Sequence, residues 1–546
     1  MTDRPAWRIP VLLLLLVAVV WFGSLDFRAL IRPDEGRYAE IPREMKARGD
    51  WTTPRLNDIK YFEKPPLQYW ATAAAYTAFG EHHWTARLWP ALTGFGGMLL
   101  AYLLGARLWG RAAGTAAAAM LAGTALYSVM GRVLTLDMGL TFFLQLALTG
   151  FVLAQGAATP QSSRRWMWLA WAGTALAILS KGPVALVLTG IALVGYSLAN
   201  RDLAPWRKLS PLSGIAVLLA IAAPWFVAVS LANPEFPHFF FIHEHLERYL
   251  TKEHRRYEPG WYFIVIYFAG ALPFAFLYLH GLLRGWGRRV AGQFSPERFL
   301  AVFALGTFAF FSFSDSKLPS YILPIFPPLA LLAGRTLTQL SRKAMLMHVA
   351  ALAAIAAAAV VYAPHAVNPD DPDYLPGTVA QFAEWARGAA LLWLTAIVGA
   401  GVLVWRKRAL AALIVLGIGS LLAETGLLAG HDALSGYYSS QAAAARIRPL
   451  LTPGVPFYSV DWYDQTLPFY LGRTVSLVVI RGEMGFGIEQ EPEKLIPTVE
   501  AFKQRWQDDR DAFALMPPDI YDRLEAEGLP MDVIARDKSV YVRKPR

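Results

Sequence analysis

Residues 215–232 read IAVLLAIAAPWFVAVSLA, a run without a single charge. Its length is close to the roughly 20 apolar residues that cross the hydrocarbon core of a bilayer. In lipid the backbone N–H and C=O groups find no water and must bond one another, so such a run folds as a helix. Val11–Phe22 and Ala350–Val361 are equally free of charge. The whole chain follows suit: 55% of its 546 residues are hydrophobic and only 17% are charged. A soluble protein carries about 25% charged residues, so lipid is a main solvent of this one. Its 19 tryptophans suit a protein that needs amphipathic rings at the membrane–water interface.

The net charge of +10 raises nucleic acid as a partner. The positive residues, however, sit mostly in short loops between apolar runs, where they set orientation, and no nucleic-acid partner is expected. The chain has no cysteine, which excludes disulfides and Cys-ligated metals. The first apolar run follows Arg4 and Arg8 and lacks a small-residue cleavage site, so it reads as a retained first span.

Six basic loops fix the topology: Arg107 with Arg111, Arg164 with Arg165, Arg201 with Arg207 and Lys208, Arg284 with Arg288 and Arg289, Arg342 with Lys343, and Arg406–Arg408. Placing all six in the cytoplasm with the N-terminus predicts about 13 transmembrane helices. They fall near 9–25, 88–106, 113–130, 138–156, 166–180, 183–199, 213–231, 261–283, 297–313, 319–338, 345–363, 388–405 and 409–428. Leu67–Gly80 is too short to span and would invert every later basic loop, so it is placed as an interfacial helix. The pair 166–180 and 183–199 reverses as a hairpin at Ser180–Pro183. All long polar loops then face outward, and the chemistry is expected there. Beyond Gly430 the composition turns polar. Pro456–Asp461, Thr474–Ile480 and Ser539–Arg543 read as strands and Pro492–Asp508 as an amphipathic helix. These give a small outer α/β domain that lacks a nucleotide-binding glycine loop and is assigned no chemistry.

Five outward segments carry polar residues able to do chemistry. The first, IRPDEGRYAE at 31–40, places Pro33, Asp34 and Glu35 where a helix N-terminus favours proline and negative charge. It is either a capped surface helix or, with Arg37 beside the paired acids, one wall of a polar site. In KYFEKPPL at 60–67, Glu63 and Lys64 precede two prolines; Lys64 either snorkels to headgroups or neutralises a lipid phosphate. In RVLTLDM at 132–138, Asp137 is a helix cap, or Arg132 and Asp137 face the cavity of Asp34. In the loop 238–257, His243 and His245 are two apart and do not share a helix face. With Glu63 they are candidate ligands of a divalent metal, though not in an HExxH pattern. Arg248, Arg255 and Arg256 suit anion binding there, and Phe239–Phe241 read as a wedge dipping into the membrane. Last, SDSKLPSYILP at 314–324 sets Lys317 and Tyr321 at the mouth of a proline-rich span, a break tolerated mainly where it lines a protein cavity. Acids and bases thus gather at one membrane–water boundary, which suits a substrate with a lipid tail and a phosphate.

The set DEGRYAE, EKPPLQYW, R-x-x-x-x-D, SKGP with Lys181, and SKLP-x-Y-x-LP resembles the protein-mannosyltransferase-like C-type glycosyltransferases over about the first 330 residues. Within them it is most similar to the bacterial aminoarabinose lipid A transferase branch. That resemblance implies a polytopic α-helical glycosyltransferase domain over 1–430, with periplasmic juxtamembrane helices in 26–87 and 233–260, and a periplasmic α/β domain over 431–546. It implies a monomer in the bacterial inner membrane with its active site in the periplasm. Asp34 would match the family's essential acid and Asp137 its second. Lys64 and one arginine of the loop 244–257, with Arg248 the choice, would hold the donor phosphate, while Glu35, Arg37, Glu63, Arg132, Lys181, Arg255, Lys317 and Tyr321 would bind substrate. The implied reaction moves 4-amino-4-deoxy-L-arabinose from undecaprenyl phosphate to a lipid A phosphate with inversion, which would confer resistance to polymyxin. The rival readings are a sibling enzyme acting on protein or glycan, a transporter of lipid-linked sugar, and a non-catalytic scaffold.

Overall fold

The structure is a computed structural model that describes all residues except 1–7, 248–257, 288–292, 366–367, 369–373, 481 and 546. A layer of apolar helices carries a second layer, built from the first outer loop and the C-terminal segment. The first layer contains α1 (Arg8–Gly23), then, after the outer-loop helices α2 (Asp34–Arg48) and α3 (Leu67–Phe79), α4 (His83–Trp109), α5 (Arg111–Ala122), α6 (Ala125–Met130), α7 (Asp137–Gln155), α8 (Pro160–Lys181), α9 (Val184–Asn200) and α10 (Pro211–Ala232). It continues through α11 (Tyr262–Gly270), α12 (Ala275–Gly287), α13 (Pro296–Phe313), α14 (Phe326–Thr336), α15 (Arg342–Tyr362), α16 (Thr378–Trp405) and α17 (Ala409–Gly430).

Among the described residues, seven helices are long and apolar enough to cross a bilayer, or eight if the bent pair α11–α12 counts as one span. By this measure the count falls below the expected 13. α11 and α12 meet at 110° across a break holding Pro273, whose missing N–H and ring interrupt a helix. The run at 113–130 breaks at Gly123, and 319–338 is a 3₁₀ turn (Pro319–Ile325) leading into α14. Such short and irregular pieces survive at membrane depth where protein rather than lipid surrounds them. The proline-rich turn meets that condition, since Ile322, Leu323 and Phe326 are buried in the bundle core.

The second layer gathers the segments expected to lie in the outer loops. α3 presses Tyr69, Ala73 and Tyr76 against α2 and the C-terminal domain, with Tyr76 and Phe469 rings 6.1 Å apart. It is thus part of this second layer. The C-terminal domain holds a six-stranded sheet: β3 (Phe457–Val460), β4 (Ser476–Val478), β5 (Leu495–Ile496), β6 (Phe513–Met516), β7 (Asp532–Arg536) and β8 (Val540–Arg543), after the small hairpin β1 (Arg55–Leu56) and β2 (Ile59–Lys60) of the first outer loop. The order is β5-β4-β3-β6-β8-β7, parallel except around β8. Strand alternation assigns the two faces. Phe457, Leu477, Phe513, Leu515 and Tyr541 point to α2 and α3, whereas Tyr458, Val478, Ala514 and Val540 pack under Phe502 and Trp506. The expected helix at 492–508 begins later, at Val499, where the Thr498 hydroxyl caps the Ala501 N–H.

The two halves of the second layer touch without slack at Gly36. A Cβ added there would lie 2.5 Å from the Gln465 backbone carbon, and backbone cannot swing aside as a flexible side chain would. Gly36→Ala is therefore expected to cost about 1–3 kcal/mol, as overpacking does. Faster proteolysis of the C-terminal domain in the purified variant would register it; an unchanged cleavage rate would show that the contact yields.

Candidate functional site

Between the two layers lies a cavity of about 620 Å³, within the size range of small-molecule sites. The N-terminal turn of α2 supplies Asp34 and Arg37, the β2–α3 linker supplies Glu63 and Lys64, the start of α7 supplies Asp137, and the end of α8 supplies Lys181. Tyr321 and Ser320 of the proline-rich turn close one side, and Val184, Val187, Phe310 and Phe311 make an apolar wall toward the helices. The lining is thus part charged and part apolar.

The charges are arranged in pairs. Arg37, buried, donates to Asp34, to Glu483 of the C-terminal domain and, at 3.0 Å, to the Tyr61 hydroxyl. Lys64 Nζ lies 2.6 Å from Glu244 Oε1. Lys181 bonds Asp137, and its ammonium stands 4.5 Å over the Tyr321 ring, a favourable seat for a cation. Burial pushes the Glu483 carboxyl above its ordinary range, although Arg37 opposes the shift. Asp34 is the open member of the set, its side chain 43% exposed.

Three expected substrate residues are held by protein partners of their own. Glu35 is buried, and its carboxylate is gripped by Arg28 (2.6 and 2.9 Å) and Arg87 (2.8 Å twice) and by the N–H groups of Ile31 and Leu134. These contacts tie it into the framework, while the residue itself borders the cavity. Arg132 turns from the cavity toward Ser128, Thr425 and Glu424, the last 3.8 Å away. Lys317 gives its ammonium to the backbone carbonyls of Ser314 (2.5 Å) and Glu258 (2.9 Å), and so bridges two loops beside the cavity. The expected membrane wedge is largely core: Phe239 and Phe240 are buried, Phe239 stacking on Phe486 at 3.9 Å, and only Phe241 is exposed.

Of the candidate metal ligands, Glu63 lines the cavity and His243 lies against Phe239 (5.3 Å between rings). The His245 side chain, like Arg248, Arg255 and Arg256, lies outside the described residues. Among the described residues no group of three or more His, Cys, Asp or Glu is placed to hold a metal ion. Two residues of the site escape sequence reasoning. Glu483 sits in a domain that carries no chemical motif, and Glu244 registers there only as the residue between two histidines.

The fold, the charged pocket at the edge of the helix layer and two family matches together define a membrane glycosyltransferase of the C type. Residues 8–240 match the dolichyl-phosphate-mannose-protein mannosyltransferase family and residues 443–544 the aminoarabinose transferase C-terminal domain. The chain belongs to the family of undecaprenyl phosphate-α-4-amino-4-deoxy-L-arabinose arabinosyl transferases. The relative from Pseudomonas paraeruginosa is 33% identical over 409 residues, 72% of each chain. That from Erwinia tasmaniensis is 34% identical over 328 residues, 60% of this chain and 58% of the relative. The crystal structure of ArnT from Cupriavidus metallidurans bound to undecaprenyl phosphate superposes with a TM-score of 0.93, at 38% identity and 98% coverage of both chains.

Proposed function

We propose that this protein transfers 4-amino-4-deoxy-L-arabinose from undecaprenyl phosphate to a phosphate group of lipid A, at the periplasmic face of a bacterial inner membrane. The observation that carries the reading is one cavity in which Lys64, Lys181 and Asp34 face a common space with an apolar wall beside it. A polyprenyl tail suits that wall, and the phosphate it bears suits the ammonium of Lys64.

In the reaction the bond between the anomeric carbon and the donor phosphate oxygen breaks, and its electron pair leaves with undecaprenyl phosphate. A new bond forms from an acceptor phosphate oxygen to the same carbon. Lys64 stabilises the charge that grows on the departing phosphate. In this scheme the Glu244 carboxylate, which now holds Lys64, gives way to that phosphate. A phosphomonoester acceptor has its second pKa at about 6 and is already largely ionised at neutral pH, so it needs positioning more than deprotonation. Asp34, open to the cavity and oriented by Arg37, is the positioning acid. Asp137 keeps Lys181 beside Tyr321.

A single displacement inverts the anomeric centre. With purified protein, donor and lipid A in vesicles, mass spectrometry is expected to find one pentosamine on a lipid A phosphate, and NMR to find the opposite anomeric configuration from the donor. Retention of configuration would overturn the single displacement. Transfer to no lipid A phosphate would overturn the acceptor and turn the search to protein or glycan.

A further inference from the structure

Among the described residues, ion pairing answers every charge that lines the cavity, with one exception. Arg32 is matched by Asp464, and Asp34 and Glu483 share Arg37. Glu35 sits between Arg28 and Arg87, Lys64 is matched by Glu244, and Asp137 by Lys181. Glu63 is the exception. Its carboxylate lines the cavity, half-buried, and among the described residues no cation or hydrogen-bond donor answers it. A carboxylate left without a partner in a partly desolvated pocket is unfavourable unless a ligand supplies the cation.

The proposed donor brings two charges of opposite sign, a phosphodiester at one carbon of the sugar and a protonated amine at another. Lys64 serves the phosphate. Asp34, which could have taken the amine, already has its charge answered by Arg37. We propose that Glu63 is the specificity residue for the amino group of the sugar, an inference that rests on the donor assignment made above. Its surroundings fit the task. Glu63 is near enough to Tyr61 and Tyr69 to act on both hydroxyls electrostatically, though burial is the main cause that pushes them up and Arg37 opposes it. The adjacent residues Glu63 and Lys64 then form a zwitterionic grip, complementary to a zwitterionic donor and poorly suited to the same sugar carrying a hydroxyl in place of the amine.

The test compares two polyprenyl-phosphate donors with identical tails, one carrying 4-amino-4-deoxy-L-arabinose and one L-arabinose, on the full-length protein in vesicles containing lipid A. The wild-type protein is expected to prefer the amino donor in kcat/KM by about 10- to 150-fold, the range of one hydrogen bond to a charged group. In Glu63→Gln the preference should shrink to within about threefold, chiefly through a higher KM for the amino donor. Glu63→Asp, which keeps the charge, should retain most of it, and matched melting temperatures guard against misfolding. Equal loss on both donors, or an unchanged ratio, overturns the role of Glu63 alone. Loss of wild-type activity on chelation, restored by a divalent ion that Glu63→Gln no longer binds, makes Glu63 a metal ligand and overturns it too. Turnover of neither donor by the wild-type protein sinks the donor assignment itself, and this proposal with it.

Discussion

Replacing Asp34 by asparagine is expected to cut sugar transfer by at least about 100-fold while leaving the amount of protein in the membrane unchanged. Asparagine has the shape of aspartate but not its charge, and the 43% exposure of the Asp34 side chain means that no buried framework depends on it. Arg37 keeps Glu483 and Tyr61 as partners in the variant, so the wall itself should persist. The measurement is mass spectrometry of lipid A from polymyxin-sensitive cells supplied with the donor pathway, comparing the two proteins at equal expression. Pentosamine at near wild-type levels in the variant would remove Asp34 from the reaction and leave Asp137 as the acid to test.

Glu35→Ala is expected to fail in the opposite way, by losing the fold. Removing this carboxylate strands Arg28 and Arg87, both buried, beside each other without a counter-charge. Breaking a buried pair in this manner typically costs about 3–5 kcal/mol, a large part of the roughly 5–15 kcal/mol that holds a typical domain together. Burial alone would raise the pKa of Glu35, but the charges and hydrogen bonds of Arg28 and Arg87 overrule it and hold the carboxyl well below the ordinary range. The sign follows. A depressed folded-state pKa gives stability that is complete above the unfolded value of about 4.3 and is lost only as the pH falls through the lower folded value. Mild acid should therefore not release the clamp, whereas the substitution should. A poor membrane yield and a lowered melting temperature in detergent would register it. A variant that melts like the wild type but transfers no sugar would return Glu35 to the ligand-binding role its place in the DEGR motif implies.

The neighbours Asp34 and Glu35 show what a sequence can and cannot disclose. Both read as acids at a helix start, and nothing local separates them. Their difference comes from Arg87, 52 residues away from Glu35, which reaches one carboxylate and not the other. Apolar runs such as 215–232 announce helices because lipid imposes one local rule on every residue. That rule says nothing of breaks enclosed by protein, so the 110° turn between α11 and α12 reads in the sequence as one straight span. Lys64, Lys181 and Tyr321 are legible by their motifs and do line the cavity. Arg132 and Lys317 stand in equally good motifs, yet one turns toward α17 and the other toward backbone carbonyls. Which way a long side chain points depends on tertiary partners. The partner of Lys64, Glu244, lies 180 residues downstream, and its part in the site is invisible without the fold.

Arg37 and Glu483 are 446 residues apart. A ribosome adds about 5–20 residues per second, so at that pace roughly 20 to 90 s separate the synthesis of the two. During that interval the loop bearing Asp34 already exists, but the carboxylate that steadies its arginine does not, and neither does the backbone of Gln465 that closes over Gly36. The support behind this wall is among the last parts of the molecule to be made, although the wall's first residues are among the earliest. A nascent chain therefore carries the loop of Asp34 before it carries the contacts that steady that loop.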